Sequence, residues 1–178
     1  MARAQVSDYL TGMRFFVTTP SANYLPAADN YLAEGAGFQA VTTPEMTQDA
    51  VEYREGTWVY TRKYPGVPTM SDVTLSRGMT HKDTTFFDWA SRAITGDEYR
   101  ADVVIYHLHR KDVTRQTGQT DGSTNKPSID LDSSKQYKLY EAFPIRCKIA
   151  GDLDSTTGDV SIGELDVSYE YFEVKPGE

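Results

Sequence analysis

Between Val51 and Thr80 the chain reads VEYREGTWVYTRKYPGVPTMSDVTLSRGMT, with apolar and polar positions alternating on both sides of Tyr64-Pro65-Gly66. Val51, Tyr53, Thr57 and Val59 form one series and Val73, Leu75 and Arg77 the other, at the two-residue period of half-exposed strands. Proline fixes φ and has no N–H for a ladder, while glycine admits positive φ. Pro65-Gly66 therefore predicts the turn of a hairpin that ends on Arg77-Gly78. Upstream, Phe15 and Val17 mark a first strand over residues 14–18, stopped by Pro20. Residues 20–37 show no period and read as a loop, and a strand resumes over 37–41 before Pro44.

Beyond Gly78 the period lengthens. Phe86, Ala90 and Ala93, with Phe87, Ala90 and Ile94, recur at helical spacing and predict a helix over 86–94. Asp83 or Thr84 is placed to cap its start and Gly96 to stop it in the left-handed region, with Trp89 packed as an anchor against the sheet. Residues 100–110, RADVVIYHLHR, carry Val103 and Ile105 on one face and Val104, Tyr106 and Leu108 on the other, so both faces need a cover. A polar connection at about 112–136 is too long for a tight hairpin and predicts a surface loop. Residues 137–149 return to strand-like sequence, with Pro144 requiring an edge or a bulge. A turn over 151–155 leads to the cleanest alternation, with Leu165, Val167, Tyr169 and Tyr171 facing one way and Glu164, Asp166, Ser168 and Glu170 the other. Val160 and Ile162 lie on the opposite phase, which predicts a bulge near Gly163.

The pattern describes a mainly β chain with one flanking helix, a β-sandwich or partial β-barrel. Its 178 residues suit a single domain, 1–178. A net charge of −8 argues against a general electrostatic grip on nucleic acid. The single cysteine, Cys147, excludes an intramolecular disulfide, suits a reducing compartment and reads as a small buried side chain. The first residues carry no signal-peptide pattern, and no apolar run approaches the ~20 residues that span a bilayer. A soluble protein made in the cytosol is expected.

Candidate chemistry is sparse. His107 and His109 share a strand face and could supply two metal ligands, but His81 is the only other histidine. Asp152, Asp154 and Asp159 lack the closing glutamate of a calcium loop and read as turn residues. Phosphate-loop, nucleophile-elbow and paired Cys-x-x-Cys patterns are missing. No catalytic, cofactor-binding or metal-binding residue is assigned.

The order VEYREG, RKYPG, VTLSRGMT, FFDWA, a long strand, YEAFPIRCKIAGDLDS and ELDVSYEYFEV resembles the inner tube protein of contractile phage tails and related contractile injection systems. The resemblance runs from about Phe15 to Val174 and is strongest at 51–56, 63–66, 75–80 and 142–144; the connections at 20–37 and 112–136 are longer than the family's turns. It implies a structural role without catalysis or cofactor. On that resemblance six subunits are expected to close into a ring with a continuous β-barrel lumen, and rings to stack into a tube inside a sheath. The implied partners are further copies of itself, sheath subunits and baseplate or terminator proteins. The resemblance further implies that DNA or an effector passes through without specific binding, that no membrane is involved, and that the particle assembles in the cytoplasm. Glu52, Arg54, Glu55, Arg62, Lys63 and Arg77 are the candidate assembly-interface residues, and Pro65, Gly66, Gly78, Trp89 and Pro144 the structural ones. The alternatives are a monomeric β-sandwich that binds carbohydrate or protein, and a metal-dependent enzyme built on His81, His107 and His109.

Overall fold

The computed structural model describes residues 10–19, 38–81, 84–109, 113–114, 128–129, 134–151, 153, 155–156 and 158–177. The expected loop at 20–37, the Asp83 cap, Asp152, Asp154 and most of the 112–136 connection lie outside them. In chain order the strands are β1 (Phe15–Thr18), β2 (Phe38–Val41), β3 (Met46–Tyr53), β4 (Arg62–Met70), β5 (Val73–Gly78), β6 (Ala101–His107), β7 (Val113–Thr114), β8 (Ser128–Ile129), β9 (Lys135–Lys148), β10 (Ile162–Ser168) and β11 (Tyr171–Lys175). One helix among the described residues, α1 (Thr85–Thr95), lies between β5 and β6. β7 pairs with β8, so the polar connection contains a short ladder.

The main sheet runs β1-β6-β9-β10-β5-β2, with β11 also on β9. β9 organises it. The first half of β9 pairs with β6 and β11, and its second half pairs with β10. The change falls at Glu141, whose φ of 53° is left-handed, beside a register slip in β6 between Ala101 and Val103. An extra residue in one strand bends it and lets it pass from one sheet to another. Two sheets result, β1-β6-β9-β11 and β9-β10-β5-β2, and their inward residues form one core of Val17, Val103, Ile105 and Leu139 with Val73, Leu75, Leu165 and Val167. Val104, on the opposite face of β6, is also buried, as a strand with two apolar faces requires.

The helix closes this core with Phe86 and Trp89, whose indole Nε1 donates to the Tyr99 carbonyl at 2.7 Å. Thr84 stands at the N-cap without a side-chain cap; its hydroxyl donates instead to Asp88 Oδ2 at 2.7 Å. Gly96 ends the helix at φ 82°, a value that costs residues with a Cβ.

Three expectations are corrected. Pro65-Gly66 is not a turn: both residues lie inside β4, paired with β3, and the connection between the two strands is residues 54–61, which contain Thr57 and Val59. Gly66 is required there by close approach, since a Cβ would stand 2.8 Å from the Asp49 carbonyl oxygen, beside a bulge between Gln48 and Ala50. Proline is tolerated because a two-stranded ribbon leaves β4 one open edge. β5 consequently pairs with β10 and β2, not with β3.

The bulge expected near Gly163 lies between Asp166 and Val167, opposite Pro144, where a missing N–H is least costly. Gly163 pairs with Arg77 in an unbroken ladder, and a Cβ on it would meet the Met79 sulfur at 2.6 Å. The final alternation breaks after Tyr169: the chain bends at 169–170, leaving Tyr171 exposed, stacked on Tyr140 at 4.4 Å, and turning Phe172 toward the core.

Candidate assembly surfaces

The β3–β4 ribbon is exposed along almost its whole length. Residues directly opposite in an antiparallel pair share a face, so the register sorts the ribbon's two sides. One side carries Met46 with Met70, Gln48 with Pro68, Ala50 with Pro65, and Glu52 with Lys63. The other carries Thr47 with Thr69, whose hydroxyls are 2.7 Å apart, Val51 with Tyr64, and Tyr53 with Arg62, which lies 5.6 Å from the Trp58 ring. Lys63 Nζ lies 3.2 Å from Glu52 and Arg62 3.8 Å from Glu55, so these charges already pair within the ribbon. Arg54 is exposed in the connection. The uncovered apolar feature of the ribbon is the side of Val51, Tyr53 and Tyr64, all about half exposed, with Trp58 of the connection, also about half exposed, against Arg62.

The second surface is the outer face of β9-β10-β5-β2. Val73, Leu75, Leu165 and Val167 turn inward, so Thr74, Ser76, Glu164, Asp166 and Ser168 turn outward together with Arg146. Arg146 donates from Nη1 to Asp166 Oδ2 and from Nη2 to Glu164 Oε2, both at 3.0 Å, and Thr74 Oγ1 donates to Asp166 Oδ1 at 2.8 Å. The hydrogen bonds it donates to Asp166 and then to Glu164 push the Arg146 guanidinium pKa above its already high value. This network spans three strands. Among the described residues, neither the far edge of β2 nor the edge of residues 143–148 opposite β10 has a partner strand. Ile145, at the bulge on that edge, is half exposed.

Arg77 belongs to neither surface. It is fully buried, with its guanidinium 4.2 Å from the Phe86 ring centroid, so an interface role for it is corrected to a place in the core. The strand alternation had put Arg77 in phase with Val73 and Leu75, and that phase is the inward one. Gly78 closes β5 opposite Ile162, with Val160 3.3 Å from where its Cβ would stand. His107 Nε2 contacts the Thr11 carbonyl at 3.2 Å, and His81 is exposed. No group of three or more His, Cys, Asp or Glu side chains among the described residues is arranged to hold a metal. Cys147 is half-buried and burial pushes its thiol pKa up, which disfavours the nucleophilic thiolate. No helix among the described residues is long and apolar enough to cross a membrane.

The described residues form a bent antiparallel sandwich with a closing helix, an exposed two-stranded ribbon and two sheet edges without a partner strand. The chain belongs to the T4-like virus tail tube protein gp19 family, whose profile matches residues 13–173. It is a structural tube subunit of the tail particle, in a family that is not enzymatic. The fold is similar to the anti-feeding prophage tube-terminating cap, at TM-score 0.70 and 17% identity, covering 99% of this chain and 100% of that one. It is similar also to the PVC sheath/tube terminator of an extracellular contractile injection system in its extended state, at TM-score 0.66 and 19% identity, covering 96% and 99%. A chain of the anti-feeding prophage baseplate, 6-fold symmetrised, aligns at TM-score 0.64 and 21% identity, covering 99% and 98%. No curated protein matches the chain at the same stringency.

Proposed function

We propose that six copies of this chain close into a ring and that rings stack into the rigid inner tube of a contractile tail or injection system. The observation that carries this reading is the four-stranded sheet β9-β10-β5-β2, with an open edge on each side, an apolar inner face and a polar outer one. Pairing the β2 edge of one copy with the 143–148 edge of the next continues the sheet. Closure then removes edges that would drive a monomer to aggregate. Six-fold symmetry, as in the related baseplate assembly, gives a barrel whose polar face lines the lumen.

The ribbon reaches the adjoining subunit or ring and covers its apolar side there, with Glu52, Arg54, Glu55, Arg62 and Lys63 at the rim. A head-to-tail contact of this kind is heterologous and extends without limit, which turns a ring into a tube. The second stripe of α1, Phe87 and Ile94, is exposed and faces a neighbour. Sheath subunits surround the tube, and baseplate and terminator proteins meet its ends. DNA or an effector passes without specific binding, no membrane is engaged, and assembly takes place in the cytoplasm. Negative-stain electron microscopy of the purified protein, and of its native particle, tests this. Hollow stacked rings are expected in both, and monodisperse monomers at high concentration with no tube in the particle would overturn it.

A further inference from the structure

Two runs of chain pass from one sheet to the other at neighbouring points. β9 crosses at Glu141, and β10 crosses into β11 through Tyr169-Glu170. The Glu170 N–H donates to the Tyr140 carbonyl at 3.2 Å, so the two crossings lie side by side. Arg100 stands against both. Its Nη1 donates to Glu170 Oε1 and lies 3.8 Å from Glu141 Oε2, and its guanidinium is 5.5 Å from the Phe143 ring centroid, just past the β9 crossing. The backbone beside Arg100 is itself fixed, since the Tyr99 carbonyl accepts the Trp89 indole N–H at 2.7 Å. Lys138 is held separately, 3.3 Å from Asp102, whose other oxygen accepts the Glu141 N–H at 3.4 Å.

Glu141 occupies a position where glycine is easier, because a φ of 53° disfavours any residue with a Cβ. A glutamate there points to a use for its carboxylate, and the carboxylate meets Arg100. Ion pairs this exposed contribute little to the stability of a subunit. What they fix is direction, since residues 143–148, which form the open edge, leave the crossing immediately after Glu141.

We propose that Arg100 is a positioning residue for ring closure: by holding both crossings it fixes the angle at which the 143–148 edge leaves the subunit, and so the number of copies that close. The inference rests on the reading that this edge pairs with β2 of the next copy. A cyclic ring closes only when every interface turns through the same angle, so the subunit count follows from that angle. Glu141 and Glu170 reach the same nitrogen, and without the cation their like charges push the crossings apart. A bias too small to unfold one subunit recurs at every subunit around the ring.

The test compares wild type with two variants that remove the tie, R100Q and E141N/E170Q, and with the charge exchange R100E/E170R, all in the full chain. Asparagine tolerates the left-handed corner, so the second variant keeps the backbone while losing both carboxylates. Spin labels on I145C and V174C, in a C147S background, report the distance between the two sheets in soluble subunits. Wild type and R100E/E170R should give one narrow distance, and R100Q and E141N/E170Q a shifted or broadened one at an unchanged urea midpoint. End-on electron-microscopy averages of the unlabelled proteins should show rings of six for wild type and the charge exchange, and mixed counts or open arcs for the other two. An unchanged distance in both loss variants, a lowered midpoint in both, or rings of six alone despite a broadened distance overturns the positioning role. Broadening in the loss variants with no rings from wild type leaves Arg100 holding the corner and overturns the ring reading instead.

Discussion

Trp89 shows how far a single side chain can be read before the fold is seen. An indole on the inner stripe of a short helix is an anchor, and the structure buries it in the core with its N–H donated to Tyr99. Truncation to alanine leaves a large cavity and an unpaired carbonyl. Trp89→Ala should cost about 3–5 kcal/mol in urea unfolding, and a midpoint shift within error would contradict the packing. Arg77 shows the opposite. A charged residue on an alternating strand looks solvent-facing by type, yet its phase matches Val73 and Leu75, and burial followed the phase. Its cover is the face of Phe86, a residue nine positions further along the chain on a different element.

Among the elements, the ribbon departs most from its sequence reading. Alternation is a property of any strand, but which strands pair depends on partners, and Pro65-Gly66 looks like a turn until Asp49 is seen pressing on Gly66 from the opposite strand. The same register makes apolar side chains the stronger proposal for the joint, since Glu52 and Lys63 pair with each other while Val51 and Tyr64, opposite one another, stay about half exposed. The double substitution V51D/Y64D should therefore abolish tube assembly in electron micrographs while leaving the subunit's unfolding midpoint unchanged. R62E/K63E should weaken assembly far less, as exposed pairs contribute about 0.2–1 kcal/mol. The reverse order of effects would return the joint to the charges.

At the scale of the molecule, the decisive property is that the sandwich formed by the described residues is open. Its sheet ends at β2 and at residues 143–148, and a lysine projecting from such an edge is a known block to strand pairing. Ile145→Lys, on the half-exposed bulge, should give a folded subunit that sediments as a monomer and forms no rings. Rings of normal size from this variant would place subunit closure elsewhere.

Alternation and helical spacing were local signals, and they sufficed for the mainly β class, the extents of β1, β2, β9 and α1, the Gly96 stop and the inward phase of β5 and β10. They sufficed because side-chain direction repeats every two residues in a strand and every 3.6 in a helix, whatever the neighbours. Strand pairing, the bend at Glu141, the bulge beside Pro144 and the Arg146–Asp166–Glu164–Thr74 network were decided by tertiary structure alone. Thr74 and Asp166 are 92 residues apart, and no local period carries a contact across that distance; only the order in which β5, β10 and β9 lie side by side brings the four groups onto one face.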